Sequence, residues 1–464
     1  MGKHSIKTYV VTAAQAVGDY DSVSGYTKGA PHKNFISSLE NYCKVNDGEL
    51  MIVAMAGKDA RETELHPFFS DRDDVYSVKK ASRRLNANVH ISDMYIPPQN
   101  IDPSSGRARF VQRETSLVVA HPKQRLKAIP ANNSSFPKLF ASTGACTHPN
   151  YNEMNHRGDA ASRDHTYGAA IVEIIDDNFF NLRQVSAVPS TGKIIDMGLA
   201  YEGNKTPVKA GVEALVLGDI HWGDHDPETI KANYEMIKFF SPKRLFLHDF
   251  LNGHSVNPHE MENTIMRARE FKEGRLSIEK ELKEGYKELC NIANAMKGGK
   301  VYVVASNHPF FFERYLEKAL YVREPWNLEI ATRLVAELAK KDGSIEAAGL
   351  RMMGKIPENV RFLELNDDLK VEGWQLASHG HKGNSGARGS VTGRELSDGK
   401  SITGHTHSPE RLRNTIIVGT STKLKLPYTE GSPNSWLAAN AVLYGGGVPE
   451  LIPIINGKWK GRRK

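Results

Sequence analysis

Apolar residues fall into two rhythms along this chain. Short unbroken runs, Ile6-Lys-Thr-Tyr-Val-Val-Thr12, Leu50-Met-Ile-Val-Ala-Met55, Ser116-Leu-Val-Val-Ala120 and Gly168-Ala-Ala-Ile-Val-Glu-Ile-Ile175, have the length and continuity of buried strands. Other apolar residues recur every three or four positions. Phe35, Ile36, Leu39 and Tyr42 predict a helix over 31–45, and Val75, Val78, Ala81, Arg84 and Leu85 predict another over 71–85. Further on, Ile230, Tyr234, Ile237 and Phe240 predict a helix over 227–240, as do Ile278, Leu282, Leu289, Ile292 and Met296 over 277–296. Leu328, Ala331, Leu334, Val335 and Leu338 repeat the pattern over 326–340. Strands alternating with helices specify the α/β class, with right-handed crossovers.

Two polar stretches interrupt the alternation. Ser142 to His156 and on through Asp164-His165, rich in Asn, His, Gly and Ser, reads as a long ordered loop. Its His148, His156 and His165 are either substrate contacts or plain surface residues. The turn-rich Gly203-Asn-Lys-Thr-Pro207 marks a junction, dividing the chain into an additional N-terminal α/β domain, 1–205, and a second domain, 206–464.

The apolar runs beyond the junction end unusually. Ala214-Leu-Val-Leu-Gly-Asp-Ile-His221, Arg244-Leu-Phe-Leu-His-Asp249, Lys300-Val-Tyr-Val-Val-Ala-Ser-Asn-His308, Trp374-Gln-Leu-Ala-Ser-His379 and Ser401-Ile-Thr-Gly-His-Thr-His407 all close on His, Asp or Asn. One such pair is as well explained by a core histidine or a polar turn; five are not explained by packing. Asp219, His221, Asp249, Asn307, His379, His405 and His407 form a nitrogen- and oxygen-rich set without thiolate, which suits zinc, manganese or iron. The set is too large for one tetrahedral ion. Shared between two ions roughly 3.5–4 Å apart, with one carboxylate bridging, it suits a site that activates water for in-line displacement at phosphorus.

In this order the motifs resemble those of the calcineurin-like metallophosphoesterases, which run Asp-x-His, Asp, Asn-His, His and Gly-His-x-His; the likeness covers Glu213 to Thr420. It implies a layered β-sandwich flanked by helices for 206–464 and two divalent ions, Mn2+ first, with Zn2+ or Fe as alternatives. It places Asp219, His221 and His407 on one ion, Asn307, His379 and His405 on the other, Asp249 between them, and His308 as the catalytic histidine. Two motifs depart from the family: His248-Asp249 replaces Gly-Asp, and Ser306-Asn-His-Pro309 leaves His308 without the acidic neighbour that often follows it. His254 and His381 are candidates for substrate binding.

Charge and composition bear on the substrate and the compartment. The net charge of +7 is modest for 464 residues, but Lys79, Lys80, Arg83, Arg84, Arg107, Arg109, Arg113, Lys123, Arg125 and Lys127 lie close together, and Lys458, Lys460, Arg462, Arg463 and Lys464 end the chain. These clusters are either a solvated face or a polyanion-binding surface. No Asp-Arg-Gly follows Asp249, where Phe250-Leu-Asn-Gly-His-Ser255 stands, which disfavours a phosphoprotein phosphatase. The expectation is therefore a phosphodiesterase acting on DNA, a nuclease, with a phage-encoded DNA-degrading member as the nearer likeness. A small-molecule phosphodiesterase or nucleotide phosphatase is the alternative, and a non-catalytic nucleic-acid- or protein-binding scaffold is the third reading. Cys43, Cys146 and Cys290 have no C-x-x-C spacing, and no apolar run reaches the roughly 18 residues that cross a bilayer, so the cytoplasm is expected, that of a host if phage-encoded. No G-x-G-x-x-G or Walker loop supports a nucleotide-binding fold.

Overall fold

The structure, a computed structural model, describes residues 6–111, 115–131, 136–340, 343–426 and 429–460. The chain opens with β1 (Lys7–Gln15), which passes through helix α1 (Lys33–Asn46) to the parallel neighbour β2 (Gly48–Met55), and β3 (Val75–Ser77) adds beyond it. It then leaves for a second sheet, laying down β4 (Arg83–Arg84), β5 (Val89–Ile91), β6 (Ser116–Val119), β7 (Arg125–Ala128) and β8 (Leu139–Ser142). The antiparallel pair β9 (Gly168–Ile174) and β10 (Phe180–Ser186) returns to the first sheet, whose order is β10-β9-β1-β2-β3.

The second half follows the same itinerary. Strand β11 (Val212–Val216) crosses through α2 (Pro227–Phe240) to the parallel β12 (Arg244–Leu247); β13 (Lys300–Val303) follows after α3 (Ile278–Ala295), and β14 (Val360–Phe362) extends the edge. The chain then crosses to the second sheet for β15 (Lys370–Val371), β16 (Trp374–Gln375), β17 (Ser401–Thr403), β18 (Glu410–Leu412) and β19 (Thr415–Ile417). It returns as the antiparallel pair β20 (Ala438–Tyr444) and β21 (Val448–Ile454), giving the order β21-β20-β11-β12-β13-β14. The second sheets of both halves are one ten-stranded sheet, β15-β16-β17-β19-β18-β7-β8-β6-β5-β4, joined where β7 pairs antiparallel with β18. Segments 1–205 and 206–464 are thus hydrogen-bonded into a common sheet.

Side-chain alternation builds the layers. Tyr9, Val11 and Ala13 of β1 and Ala214, Val216, Phe246 and Tyr302 of the other half face the ten-stranded sheet, meeting Val118, Leu126, Ala141, Ile402 and Ile416 in one shared core. The residues between them point the other way, Val10 and Ile52 against Phe35, Leu39 and Tyr42 of α1, and Leu215, Leu245 and Val301 against Met236, Ile237, Leu282 and Leu289 of α2 and α3. Burying each such aliphatic side chain stabilises the fold by about 1.5–3 kcal/mol. The helices start where their caps dictate: Asp226 accepts from Thr229 N ahead of Pro227, and Ser277 accepts from Lys280 N. The result is a mixed α/β fold of helix, sheet and sheet layers, with the strand ends of β11 and β12 left for chemistry.

Two expectations need correction. Residues 71–85 hold no long helix: Val75 and Tyr76 pair with Ile52 and Val53 as β3, Ser77 caps a one-turn helix, Val78–Ala81, and β4 follows. Residues 142–165 are not loop throughout, because Asn155 accepts from Gly158 N and starts a helix, His156–Arg163. The three cysteines are free, and among the described residues no helix is long and apolar enough to cross a membrane.

Candidate metal centre

The turns that follow β11, β12, β16 and β17 converge at one edge of the two packed sheets. Asp219 is set there by backbone bonds, donating its N–H to Gly419 O (3.1 Å) while its carbonyl accepts from Ser421 N (2.7 Å). His221 N donates to Asp249 O at 2.7 Å, locking the turns after β11 and β12 side by side. The turn after β17 closes over them as His405 N donates to Asp219 Oδ2 at 2.7 Å. Gly404 is required for this approach, since a Cβ there would lie 2.1 Å from Asp219 Oδ1.

Two groups of side chains result, and Asp249 belongs to both. Asp219, His221, Asp249 and His407 bring one ligand atom each within 4.8 Å of the others, and so do Asp249, His379 and His405. In the first group His221 Nε2 stands 2.9 Å from His407 Nε2 and 3.6 Å from Asp249 Oδ2, and His407 Nε2 stands 3.3 Å from Asp219 Oδ2. In the second, His379 Nε2 lies 3.0 Å from Asp249 Oδ2. Asp219, His221, Asp249, His379 and His407 are all buried. Asp219 Oδ1, His221 Nδ1, Asp249 Oδ1, Asn307 Oδ1 and His407 Nδ1 have no hydrogen-bond partner. Orphaned buried polar atoms and ionised carboxylates cost several kcal/mol in a protein interior unless something of opposite charge accompanies them. The residues present therefore fit a metal cation.

Electrostatics points the same way. Burial pushes the Asp219 carboxyl up, but His379 and His407 outweigh it and hold it at about 2; Asp249 is likewise held well below the carboxylate range, mainly by His379 and His308. Burial holds the His405 imidazole down at about 4, and His221 well below its ordinary value. Only His379 runs the other way, raised against burial by Asp249 and Asp219. Ionised carboxylates and neutral imidazoles are the protonation states that ligate metals. The backbone is strained here too: His221, Asp249, His405 and His407 have φ of 45°, 41°, 80° and 59°, a region unfavourable to non-glycine residues.

The other predicted residues sort by surroundings. His308 stacks edge-on to His221 with ring centroids 4.3 Å apart, and its Nδ1 lies 2.6 Å from Asn252 O. A carbonyl can only accept, so Nδ1 carries the proton and donates it to Asn252 O, the tautomer that leaves Nε2 unprotonated in the neutral ring. His381 has both ring nitrogens unpartnered and stands beside His379 and His405, ring centroids 5.6 and 6.1 Å away. His254 is engaged elsewhere, its Nδ1 3.3 Å from Glu281, whose carboxylate also accepts from Gly253 N and Ser255 N. His148 and His165 are packing residues of the first half, bonded to Tyr167 OH and to Thr147 O and Tyr151 OH, and His156 begins a helix.

Sequence reasoning missed His248. It is fully buried, its Nδ1 lies 3.3 Å from His379 Nδ1, and it forms a third group with Asp219 and His379. The one signal was its place before Asp249, where the resembling family has glycine.

The basic stretch from Lys79 to Lys127 is not one exposed face. Lys123 is buried with Nζ donating to Asn100 O, Arg125 is buried against Asp102 and Glu410, and Arg83 pairs with Glu49. Lys79, Lys80, Arg84 and Arg109 remain exposed. At the terminus Trp459 is buried beside Phe239 and Phe240, with Lys460 over the Phe239 ring. Arg113, Arg462, Arg463 and Lys464 lie outside the described residues.

Fold and site together define a mixed α/β protein with a buried Asp/His centre that could hold a metal ion. The chain is 26% identical over 458 residues to "Protein A1" of Escherichia phage T5, a match covering 92% of this chain and 80% of that protein. No family model matches the chain, and no solved structure does.

Proposed function

We propose that this protein is a two-metal phosphoesterase of the calcineurin-like kind that hydrolyses phosphodiester bonds, with DNA as substrate. The observation that carries the reading is the sharing of Asp249 between two ligand groups, buried but for the half-buried His405. Asp219, His221, Asp249 and His407 would hold one ion; Asp249, Asn307, His379 and His405 would hold the other. Bound there, two divalent ions, Mn2+ first, would supply Lewis acidity and activate a water. The protein's own part is orientation and proton transfer. His308, its Nδ1 donating to Asn252 O and its ring against that of His221, has Nε2 left for proton transfer; when protonated there it would give that proton to the ester oxygen that leaves as the water oxygen bonds to phosphorus. His381, with free nitrogens beside His379 and His405, is placed to hydrogen-bond a non-bridging phosphoryl oxygen.

The DNA assignment rests on the remaining exposed cations and on likeness to a phage protein, which also favours a host-cell cytoplasm as the setting. A small phosphodiester is the second reading, favoured by the burial of Lys123 and Arg125, which removes much of the expected polyanion surface. Protein loaded with Mn2+ and assayed on plasmid, linear duplex and single-stranded DNA beside an aryl phosphodiester separates the two. Cleavage of DNA that weakens steeply with salt supports the nuclease; hydrolysis of the aryl diester alone transfers the assignment to small substrates; two bound ions without hydrolysis of either substrate ends it.

A further inference from the structure

We infer that this chain is a fused pair of copies of one two-sheet unit, and that the first copy, its metal ligands replaced, serves to position the His405–His407 turn of the second. The second clause rests on the metal reading above; the first does not.

Every strand from β1 to β10 has a counterpart in the second half, met in the same chain order, in the same sheet and with the same direction relative to its neighbours. Only β14 is extra in the second half's sheets. The backbone frame matches in detail. Ala13 donates to Gly144 O at 3.1 Å and accepts from Cys146 N at 2.7 Å, the two bonds that Asp219 makes with Gly419 and Ser421 at the same lengths.

The junction is symmetric as well. Counting back from Gly144 and Gly419 makes Ala141 and Ile416 counterparts, so their partners Leu126 and Arg411 are counterparts too. These two residues pair with each other across the β7–β18 seam, Arg125 facing Leu412 and Lys127 facing Glu410 on either side. A local two-fold axis therefore runs between Leu126 and Arg411, the register that identical edge strands adopt in a symmetric dimer.

Along this frame the first copy has lost its metal chemistry. Ala13 stands for Asp219, and Gln15, two residues on, stands for His221, its amide closed on Asn150 through bonds of 3.1 and 3.2 Å. Counted from the paired strands, Met94 stands for His379 and His121 for His405. His121 is satisfied at both nitrogens, by Pro97 O at 3.3 Å and Lys123 N at 3.1 Å. Pro122 stands for His407: Thr166 N donates to Pro122 O as Leu437 N donates to His407 O. None of Ala13, Gln15, Met94 and His121 has the positive φ that strains the second centre.

What the first copy retains is its grip across the seam. β18 starts three residues after His407, and Pro409 O accepts from Ala128 N of β7 at 3.3 Å. Arg125, buried, bonds the Glu410 carboxylate and Arg411 O (3.0 Å) and is held by Asp102 (3.2 Å). A ligand loop whose exit strand is clamped keeps its geometry when the ion is absent; partners bonded directly to ligands are worth about 10–100-fold in metal affinity, and a clamp that acts through the strand should reach the lower end of that range.

Two measurements on the full chain test this. For the duplication, Leu126→Cys with Arg411→Cys should form an intramolecular disulfide under mild oxidation, whereas Leu126→Cys with Leu412→Cys should not; Lys127→Cys with Glu410→Cys replaces the first pair if it does not fold. Equal cross-linking off register, or none in register in a folded chain, overturns the symmetric seam. For the positioning, calorimetric titration with Mn2+ should give two ions per chain, unchanged in Gln15→Ala. In Arg125→Ala one of the two sites should weaken by about tenfold or more, with partial recovery in Arg125→Lys. A third ion, removed by Gln15→Ala, overturns the loss of the first centre; unchanged affinity in Arg125→Ala overturns its positioning role. If the native chain binds no Mn2+, the metal reading and the positioning fall together, while the cross-link still tests the symmetric seam on which the duplication rests.

Discussion

At the end of β11 stand Asp219 and His221, buried and with atoms unpartnered, His221 strained as well; at the matching end of β1 stand Ala13 and Gln15, relaxed and, at Gln15, hydrogen-bonded. His405 has a free neighbour in His381 and a carboxylate at its backbone N–H, whereas His121, at the same place in the first half, has both nitrogens tied to backbone. The same strand frame thus supports a centre in one half and an ordinary core in the other. Fold alone assigns no function; what sets the two halves apart is the polar atoms left without partners at the strand ends of the second.

The widest contrast is breached by Asp249→Asn, which removes the carboxylate common to both ligand groups. It should abolish hydrolysis and reduce bound metal from both sites, read by elemental analysis and turnover; two retained ions with near-normal turnover would remove Asp249 from between them. His308→Ala separates chemistry from metal: turnover should fall by about 100-fold or more at unchanged metal content, and unchanged turnover would take His308 out of the reaction. His248 lies against His379. His248→Ala should weaken one ion by about tenfold in a calorimetric titration, and equal affinity would make it a plain core residue.

Smaller effects probe the first half. Lys79→Glu with Lys80→Glu changes exposed charges there and should lower the salt slope of DNA binding by about 0.9 for each phosphate no longer neutralised, leaving aryl diester hydrolysis alone. A salt slope equal to that of the parent would mean that these lysines touch no phosphate. His121 is held at about 3 by burial, below its ordinary 6.5. Its neutral form is the native one, so its contribution to stability is complete above pH 6.5 and is lost as pH falls toward 3. In His121→Asn the acid limb of unfolding should flatten by about one proton, or about 1.4 kcal/mol per pH unit, in metal-free and metal-loaded protein alike.

Much of the second half was legible because its signals are local. A ligand directly after a short apolar run needs no knowledge of the rest of the chain, and Asp219, His221, Asp249, His379, His405 and His407 are brought together as that pattern implied. The repeat was not legible, because counterparts such as Ala13 and Asp219 or Met94 and His379 share a place in the frame and no chemistry. The seam between β7 and β18 joins residues far apart in sequence, beyond the reach of any periodicity. Lys123 and Arg125 read as surface charges for a related reason: counting charges cannot reveal that Asn100, Asp102 and Glu410 wait for them in the interior. The spacing over 71–85 suited a helix, but pairing to the edge of β2 prevailed over local preference.

The left-handed backbone at His221, Asp249, His405 and His407 gives the second centre a direction in evolutionary time. Each such residue is held at a cost of about 1–3 kcal/mol, tolerable while the surroundings enforce it. A lineage that drops one ligand loosens that enforcement, and the next substitutions that relax the chain are favoured for stability alone. Because relaxation and ligand loss reinforce each other, the path back requires several simultaneous changes, each unfavourable by itself. The first half, with ordinary dihedrals where its twin is bent, has the form such a one-way descent would leave.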